Sequence, residues 1–317
     1  MLLVTLDDAT SGHLDKLSSI ISSEMPVHYT KVSINNNQID LKDVQVWITY
    51  GHDITPEVLE QMPNLQWIQI FQAGVEHIPF GELENRNIQL TNMKGIQTIP
   101  MAEYALSMML YLMGNISQYL ENQKKSKWDH GALFHEINGK HVSIFGAGTI
   151  GTEIAKLCKN MKMLVSGVNT SGIHKEPFDQ MYRLEDREEI LGQSDFVVML
   201  LPETTETTHC ISRREFEVMK ESSFLINMGR GPLVHEEALI EALKDKAIAG
   251  AVLDVCNEEP LPPNHPFWST ENLIITPHVA AKSPRYLDRC IETFEKNFKS
   301  YLNNDSLQFL VNLEKGY

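Results

Sequence analysis

The chain has 317 residues, 42% hydrophobic and 22% charged, with a formal net charge of -15. That length exceeds one small core and suits two domains of ordinary size, and the composition is that of a folded globular chain. The negative balance excludes nucleic acid or an anionic membrane surface as the main partner, since either needs a basic face; an anionic substrate must then be held by a local positive site.

Cys158, Cys210, Cys256 and Cys290 form no C-x-x-C pair, so neither a disulfide framework nor a metal centre is expected. The opening six residues are too short for a signal segment and meet Asp7 and Asp8 at once. The longest mostly apolar run, residues 105–113, cannot span a bilayer, and a cytoplasmic location is expected.

In chain order, residues 2–6, 27–32, 44–49, 67–71 and 88–91 are short β-prone runs, with helix-like pieces at 14–21 and 56–61. Strands alternating with helices predict a parallel sheet covered on both sides. The Asn35, Asn36, Asn37 cluster reads as a turn, and Trp47 and Trp67 read as core or interface aromatics. The run from Ile70 to His77 leaves a strand and enters a turn, where Gly74 would let a carboxylate approach backbone N–H groups; an ordinary strand-to-helix turn fits it as well. Residues 92–100 then form a link punctuated by Gly95 and Pro100. Pro100 suits a helix start, and the domain boundary is placed there. The helix over 101–113 is apolar on more than one face, which predicts burial against a second subunit as well as its own domain.

Residues 141–158 read as strand, tight turn and helix. Val142, Ile144 and Phe145 lead into Gly146, Gly148 and Gly151, after which Ile150, Ile154 and Leu157 recur at helical spacing. Gly146 allows the sharp turn, Gly148 lets a pyrophosphate touch backbone, and Gly151 lets the helix approach the strand. A glycine-rich turn without a ligand would show the same triplet. The β-prone runs that follow, at 163–168, 195–201, 223–228, 248–253 and 273–276, with an amphipathic helix at 235–243, have the rhythm of a doubly wound nucleotide-binding domain. In such domains an acid at the end of the second strand holds the adenosine ribose. Here Val168 is followed by Asn169, Thr170 and Ser171, with His174 and Lys175 beyond, a set that favours NADP over NAD.

Arg230, Glu259 and His278 each follow one of the last three β-runs, which would bring them to one crevice edge. An arginine fork can hold a 2-oxo acid, a histidinium can protonate the forming alkoxide, and a carboxylate can stabilise and orient that imidazolium. Taken singly, each would also serve as a surface ion pair, a solvated loop charge or a packed turn histidine.

With these residues in place, the chain resembles the D-isomer-specific 2-hydroxyacid dehydrogenase family, which includes glyoxylate/hydroxypyruvate reductases and phosphoglycerate dehydrogenases. The likeness covers nearly the whole length. It is carried by Ala73-Gly74-Val75, Ala102-Glu103, Gly146 to Gly151, Leu201-Pro202 with Thr207, Asn227 to Gly231, Leu253-Asp254-Val255, Glu259-Pro260, His265 to Trp268 and Thr276-Pro277-His278. It implies an α/β fold of two doubly wound parallel-sheet domains, a Rossmann cofactor domain (100–284) inserted into a flavodoxin-like substrate domain (1–99 plus 285–317), to which a helix at 286–302 and a tail at 309–313 return. It also implies closure about crossings near Pro100 and Pro284, and a homodimer on the helix after Pro100.

By the same resemblance, Arg230, Glu259 and His278 are the catalytic trio, and the amides around Ala73 and Gly74, with Arg230, bind a small 2-oxo or 2-hydroxy acid. Gly146, Gly148, Thr149, Ile150 and Gly151 take the cofactor pyrophosphate. Asn169 and Thr170 border the ribose, while Pro202, Thr207, Met228, Gly229 and Asp254 line the rest of the cofactor, Asp254 accepting from the carboxamide. Asn169 stands where many relatives carry Asp, and Glu76 where Asp is common. The reaction implied is hydride transfer between NAD(P)H and the 2-oxo acid. Tyr50, Met101 and the region near Trp268 are candidates for the pocket wall. A non-catalytic nicotinamide-sensing protein of the corepressor type is the alternative. Formate oxidation is disfavoured, because an amide typically replaces Glu259 there.

Overall fold

The computed structural model describes residues 1–21, 24–30, 40–75 and 77–313; the Asn35, Asn36, Asn37 cluster and Glu76 lie outside the described residues. The chain divides into two compact units, one made of Met1–Ile96 with Ser283–Tyr317 and the other of Gln97–Lys282.

The first unit runs β1 (Leu2–Thr5), α1 (Ser11–Ile21), β2 (Val27–Tyr29), β3 (Val46–Thr49), α2 (Pro56–Glu60), β4 (Trp67–Ile70), α3 (Phe80–Asn85) and β5 (Gln89–Thr91). The strands form one parallel sheet in the order β2-β1-β3-β4-β5, the flavodoxin-like arrangement. Every residue of β3 and β4 is buried, because helices cover both faces of such a sheet; that is why these strands read as apolar runs without alternation. Trp47 and Trp67 are fully buried. The Thr55 hydroxyl accepts from the Val58 N–H, and Pro56 takes the first helical position, so α2 begins where both signals coincide.

The second unit opens with α4 (Thr98–Met113), and the chain enters this unit at Gln97, ahead of the Pro100 expected from sequence. Pro100 occupies the third helical position, where an N–H would have no intrahelical acceptor, so the helix can start before it. There follow α5 (Ile116–Lys124), β6 (His141–Phe145), α6 (Thr149–Asn160), β7 (Leu164–Val168), β8 (Gln180–Tyr182), α7 (Arg187–Gln193), β9 (Phe196–Met199), α8 (Arg213–Val218), β10 (Phe224–Asn227), α9 (Glu236–Lys244), β11 (Gly250–Leu253) and β12 (Leu273–Ile275). All seven strands are parallel, in the order β12-β11-β10-β9-β6-β7-β8. Counted from β6 this is the dinucleotide-binding order with one strand added, and the direction of winding reverses between β6 and β9. No helix among the described residues is long and apolar enough to cross a membrane.

The chain then returns to the first unit as α10 (Tyr286–Leu302), whose Phe294 stacks on Trp67 at 5.6 Å between ring centroids. Asn297, fully buried, fastens this return. Its Nδ2 donates to Gln69 Oε1 at 3.0 Å and to the Gln308 carbonyl at 3.1 Å, while its Oδ1 accepts the Gln308 N–H at 2.7 Å. Beyond it, the Val311 N–H donates to the Leu90 carbonyl at 2.8 Å along the β5 edge.

Replacing Asn297 by Ala removes a partner from the buried Gln69 side chain and from the part-buried N–H and carbonyl of Gln308, and a buried group left unpaired costs about 1–3 kcal/mol. Asn297→Ala is therefore expected to lose about 3 kcal/mol of stability in denaturant unfolding; an unchanged midpoint would contradict that role.

Candidate active site

The site is assembled at the carboxyl ends of the second unit's strands. After β6 the backbone turns through Gly146 at φ 113°, and a Cβ there would lie 3.0 Å from the Leu200 backbone carbon beyond β9, at the point where the winding reverses. A Cβ at Gly151 would meet the Gly146 carbonyl oxygen at 2.2 Å, so α6 can lie this close to the turn only without a side chain. A Cβ at Gly148 would meet nothing within 4 Å, which leaves an open backbone face beside the helix start. Gly148 is the N-cap of α6 and no side chain caps it. The leading N–H groups, at Thr149, Ile150 and Gly151, therefore keep their capacity for an anion, aided by the positive end of the helix dipole. Lys175 Nζ donates to the Ala147 carbonyl at 2.9 Å and adds a full positive charge to the turn. A dinucleotide's pyrophosphate fits this open, donor-rich and cationic cradle.

Beside it, β7 ends at Val168, and Asn169 folds into a turn: its Oδ1 accepts from the N–H of Ser171 at 3.0 Å and of Gly172 at 2.7 Å. That side-chain oxygen is committed within the loop, so the NH2 is the donor the side chain has left, and Thr170 is exposed. Arg183 reaches the same loop, donating from Nε to the Ser171 carbonyl at 3.3 Å. Its partner Glu185 is largely exposed, so their 3.3 Å pairing is weakened by solvent. After β9, Pro202 begins a loop that Thr207 ties together. The Thr207 hydroxyl donates to the Pro202 carbonyl at 2.7 Å and accepts the Thr204 N–H at 2.8 Å, so Thr207 shapes this wall from inside.

Arg230 follows β10, Glu259 follows β11 and His278 follows β12, three neighbouring strands of one sheet. His278 Nδ1 and Glu259 Oε2 are 2.8 Å apart, and the other carboxylate oxygen accepts the Cys256 N–H at 3.1 Å. Both side chains are about half exposed, so the pair contributes orientation more than stability. The Arg230 guanidinium donates to its neighbour's carbonyl, Gly229 O, at 2.9 Å and makes no ion pair among the described residues. Its remaining donors suit a carboxylate or a carbonyl oxygen. Met228 and Gly229, just before it, are buried in the strand-end turn. Gly231 is held against the next loop: a Cβ there would meet the Cys256 carbonyl oxygen at 2.2 Å.

Asp254, almost fully buried, is the organiser of the His278 turn. Its Oδ1 accepts from Thr276 Oγ1 at 2.5 Å and from the Val279 N–H at 2.9 Å, and its Oδ2 accepts the Ala280 N–H at 2.9 Å. One lone pair of Oδ2 stays available for a further donor.

In the first unit, Ala73 and Gly74 lie in the turn after β4. Asn92 Nδ2 donates to the Ala73 carbonyl at 2.8 Å, and the Met93 N–H donates to the Gln72 carbonyl at 2.9 Å, so the turn is braced from the strand beside it. Sequence reasoning missed Arg183, Tyr104 and the bracing role of Asn92; Gly231 stood in the motif around Arg230, but its close approach to Cys256 was not read from it.

A family model described as D-isomer specific 2-hydroxyacid dehydrogenase, NAD binding domain, matches residues 106–280. The glyoxylate reductase of Thermofilum pendens is 32% identical over 268 residues, 82% of this chain and 79% of that protein. A D-3-phosphoglycerate dehydrogenase from Archaeoglobus fulgidus is 34% identical over 232 residues, 73% of this chain and 44% of that longer protein. The crystal structure of a D-isomer specific 2-hydroxyacid dehydrogenase family protein from Aeromonas salmonicida superposes with a TM-score of 0.84 at 30% identity, covering 98% of each chain.

Proposed function

Because the chain belongs to the D-isomer-specific 2-hydroxyacid dehydrogenase family of NAD(P)-dependent oxidoreductases, we propose that it reduces a small 2-oxo acid of the glyoxylate or hydroxypyruvate type to the D-2-hydroxy acid. The observation that carries this reading is the 2.8 Å contact between His278 Nδ1 and Glu259 at adjacent strand ends. With Nδ1 turned to the carboxylate, Nε2 is the nitrogen left for proton transfer. In reduction the imidazolium gives its Nε2 proton to the C2 oxygen as charge develops there, and in oxidation the neutral ring takes it back. Glu259 fixes the orientation of the ring. Arg230, free of ion pairs among the described residues, holds the substrate through its fork of N–H donors. In the first unit, the amides around Ala73 and Gly74 take the substrate carboxylate. The nicotinamide, when bound, supplies the hydride. The residues that hold the cofactor are the N–H groups of Thr149 and Ile150 with Lys175 at the pyrophosphate, and the remaining lone pair of Asp254 Oδ2 at the carboxamide. Pro202, Thr207, Met228 and Gly229 form the wall beside it.

NADPH is the preferred form in this reading. Asn169, Thr170 and Ser171 follow Val168 without a carboxylate among them, and Arg183 and Lys175 flank that loop with positive charge. The active species is a homodimer through α4: Leu106, Leu110 and Leu112 are only partly buried, and Leu133 and Phe134, beside the end of that helix, are 63% and 60% exposed.

His278→Ala is expected to lower kcat for glyoxylate reduction about a thousandfold, and Glu259→Gln to lower it about tenfold, since the imidazole loses the carboxylate that orients it. Near-normal turnover in His278→Ala would refute the assignment of the acid. Arg183→Gln should weaken NADPH about tenfold, as loss of one charged contact implies, and leave NADH nearly unchanged in fluorescence titrations; equal losses for both would contradict the role given to Arg183. Sedimentation should report a dimer that Leu133→Asp converts to monomer, and a monomeric parent protein would overturn that surface.

A further inference from the structure

His278 sits at φ 52°, a left-handed backbone conformation unfavourable for any residue with a Cβ, so its surroundings must impose it. They do so through one buried carboxylate. The His278 N–H donates to the Asp254 carbonyl at 2.9 Å, and the next two N–H groups, of Val279 and Ala280, donate to the two oxygens of the Asp254 side chain. The turn that aims the imidazole is therefore as fixed as that carboxylate is. Its rotation is set by Thr276, which donates from Oγ1 to Oδ1 at 2.5 Å. A hydroxyl has one proton, and Thr276 spends it on the carboxylate. The 2.6 Å contact between Tyr104 OH and Thr276 Oγ1 must then run from the phenol to the threonine. The result is a directed chain, Tyr104 to Thr276 to Asp254, in which each bond polarises the next.

We infer that Tyr104, on α4 and 172 residues from Thr276 in sequence, is a positioning residue for His278, acting through Thr276 and Asp254 on the turn that carries the imidazole. Tyr104 remains a donor throughout the working range. Burial raises its pKa, the Thr276 bond opposes this, and the Asp254 charge adds to it, leaving the phenol at about 12. Nothing else in the network can donate to Thr276 in its place: the one proton of Thr276 is spent on Asp254, and the Asp254 oxygens act only as acceptors. The inference rests on His278 being the acid of the proposed reaction.

Tyr104→Phe removes the hydroxyl and keeps the ring. It should lower kcat for glyoxylate roughly tenfold, as small misplacement of a catalytic group does, while KM and the NADPH dissociation constant measured by fluorescence stay within about twofold. Thr276→Val should reproduce the loss and Thr276→Ser should spare kcat. The double variant Tyr104→Phe/Thr276→Val should be no slower than Thr276→Val alone, because both changes cut one chain. Parent-like kcat in Tyr104→Phe, or losses that multiply in the double variant, would overturn the inference. Should Tyr104→Phe fail to fold, the Thr276→Val and Thr276→Ser pair decides: equal kcat in the two would overturn it. If His278→Ala retains turnover, the proposed reaction itself fails; if His278→Ala is inactive and Tyr104→Phe is normal, the network alone fails.

Discussion

The backbone of Gly231 lies so close to that of Cys256 that one methyl group at Gly231 would meet the Cys256 carbonyl at 2.2 Å. This close approach keeps the loop after β10 and the loop after β11 in step. It ties the position of Arg230 to that of Glu259, whose carboxylate accepts the Cys256 N–H. From there the constraint passes on: Glu259 meets His278 at the next strand end, and Asp254, at the root of the same loop, grips the His278 turn. Three groups of different chemistry, separated along the chain, thus share one short stretch of parallel sheet edge.

The same economy governs the cofactor side. Parallel strands deliver every loop to one edge, and the glycine turn after β6 sits where the winding reverses, the place at which such sheets leave a crevice. Gly151 permits the helix to press on the turn, and Gly148 leaves the backbone open toward that crevice. A backbone face left open beside uncapped helix N–H groups is where the proposed cofactor would place its pyrophosphate.

Much of this was legible in the sequence because the relevant signals are local. The glycine triplet, the apolar runs of the buried strands and the Arg, Glu and His that end three of them lie within short windows, and a parallel sheet converts such windows into one edge. The edge strand β8 was not legible: it spans Gln180–Tyr182, its first residue is exposed, and it is secured by Asp179, whose carboxylate accepts the Val165 N–H. Arg183 was hidden for a related reason, since its relevance comes from reaching back to Ser171. Asp254 could be read as a group beside the cofactor, but its commitment to the Val279 and Ala280 N–H groups depends on a turn geometry that no spacing rule specifies. Tyr104 looked like one more residue of an apolar helix, and only the fold brings its hydroxyl to Thr276.

In the proposed reaction His278, held by Glu259, gives its proton to the C2 oxygen of a 2-oxo acid gripped by Arg230. The decisive experiment is a crystal structure of the protein with NADP and the inert 2-oxo acid analogue oxamate. His278 Nε2 is expected within hydrogen-bond distance of the oxamate carbonyl oxygen, with Nδ1 still on Glu259 and the Arg230 guanidinium on the analogue. An imidazole turned away from the analogue, with Glu259 bonded elsewhere, would contradict it.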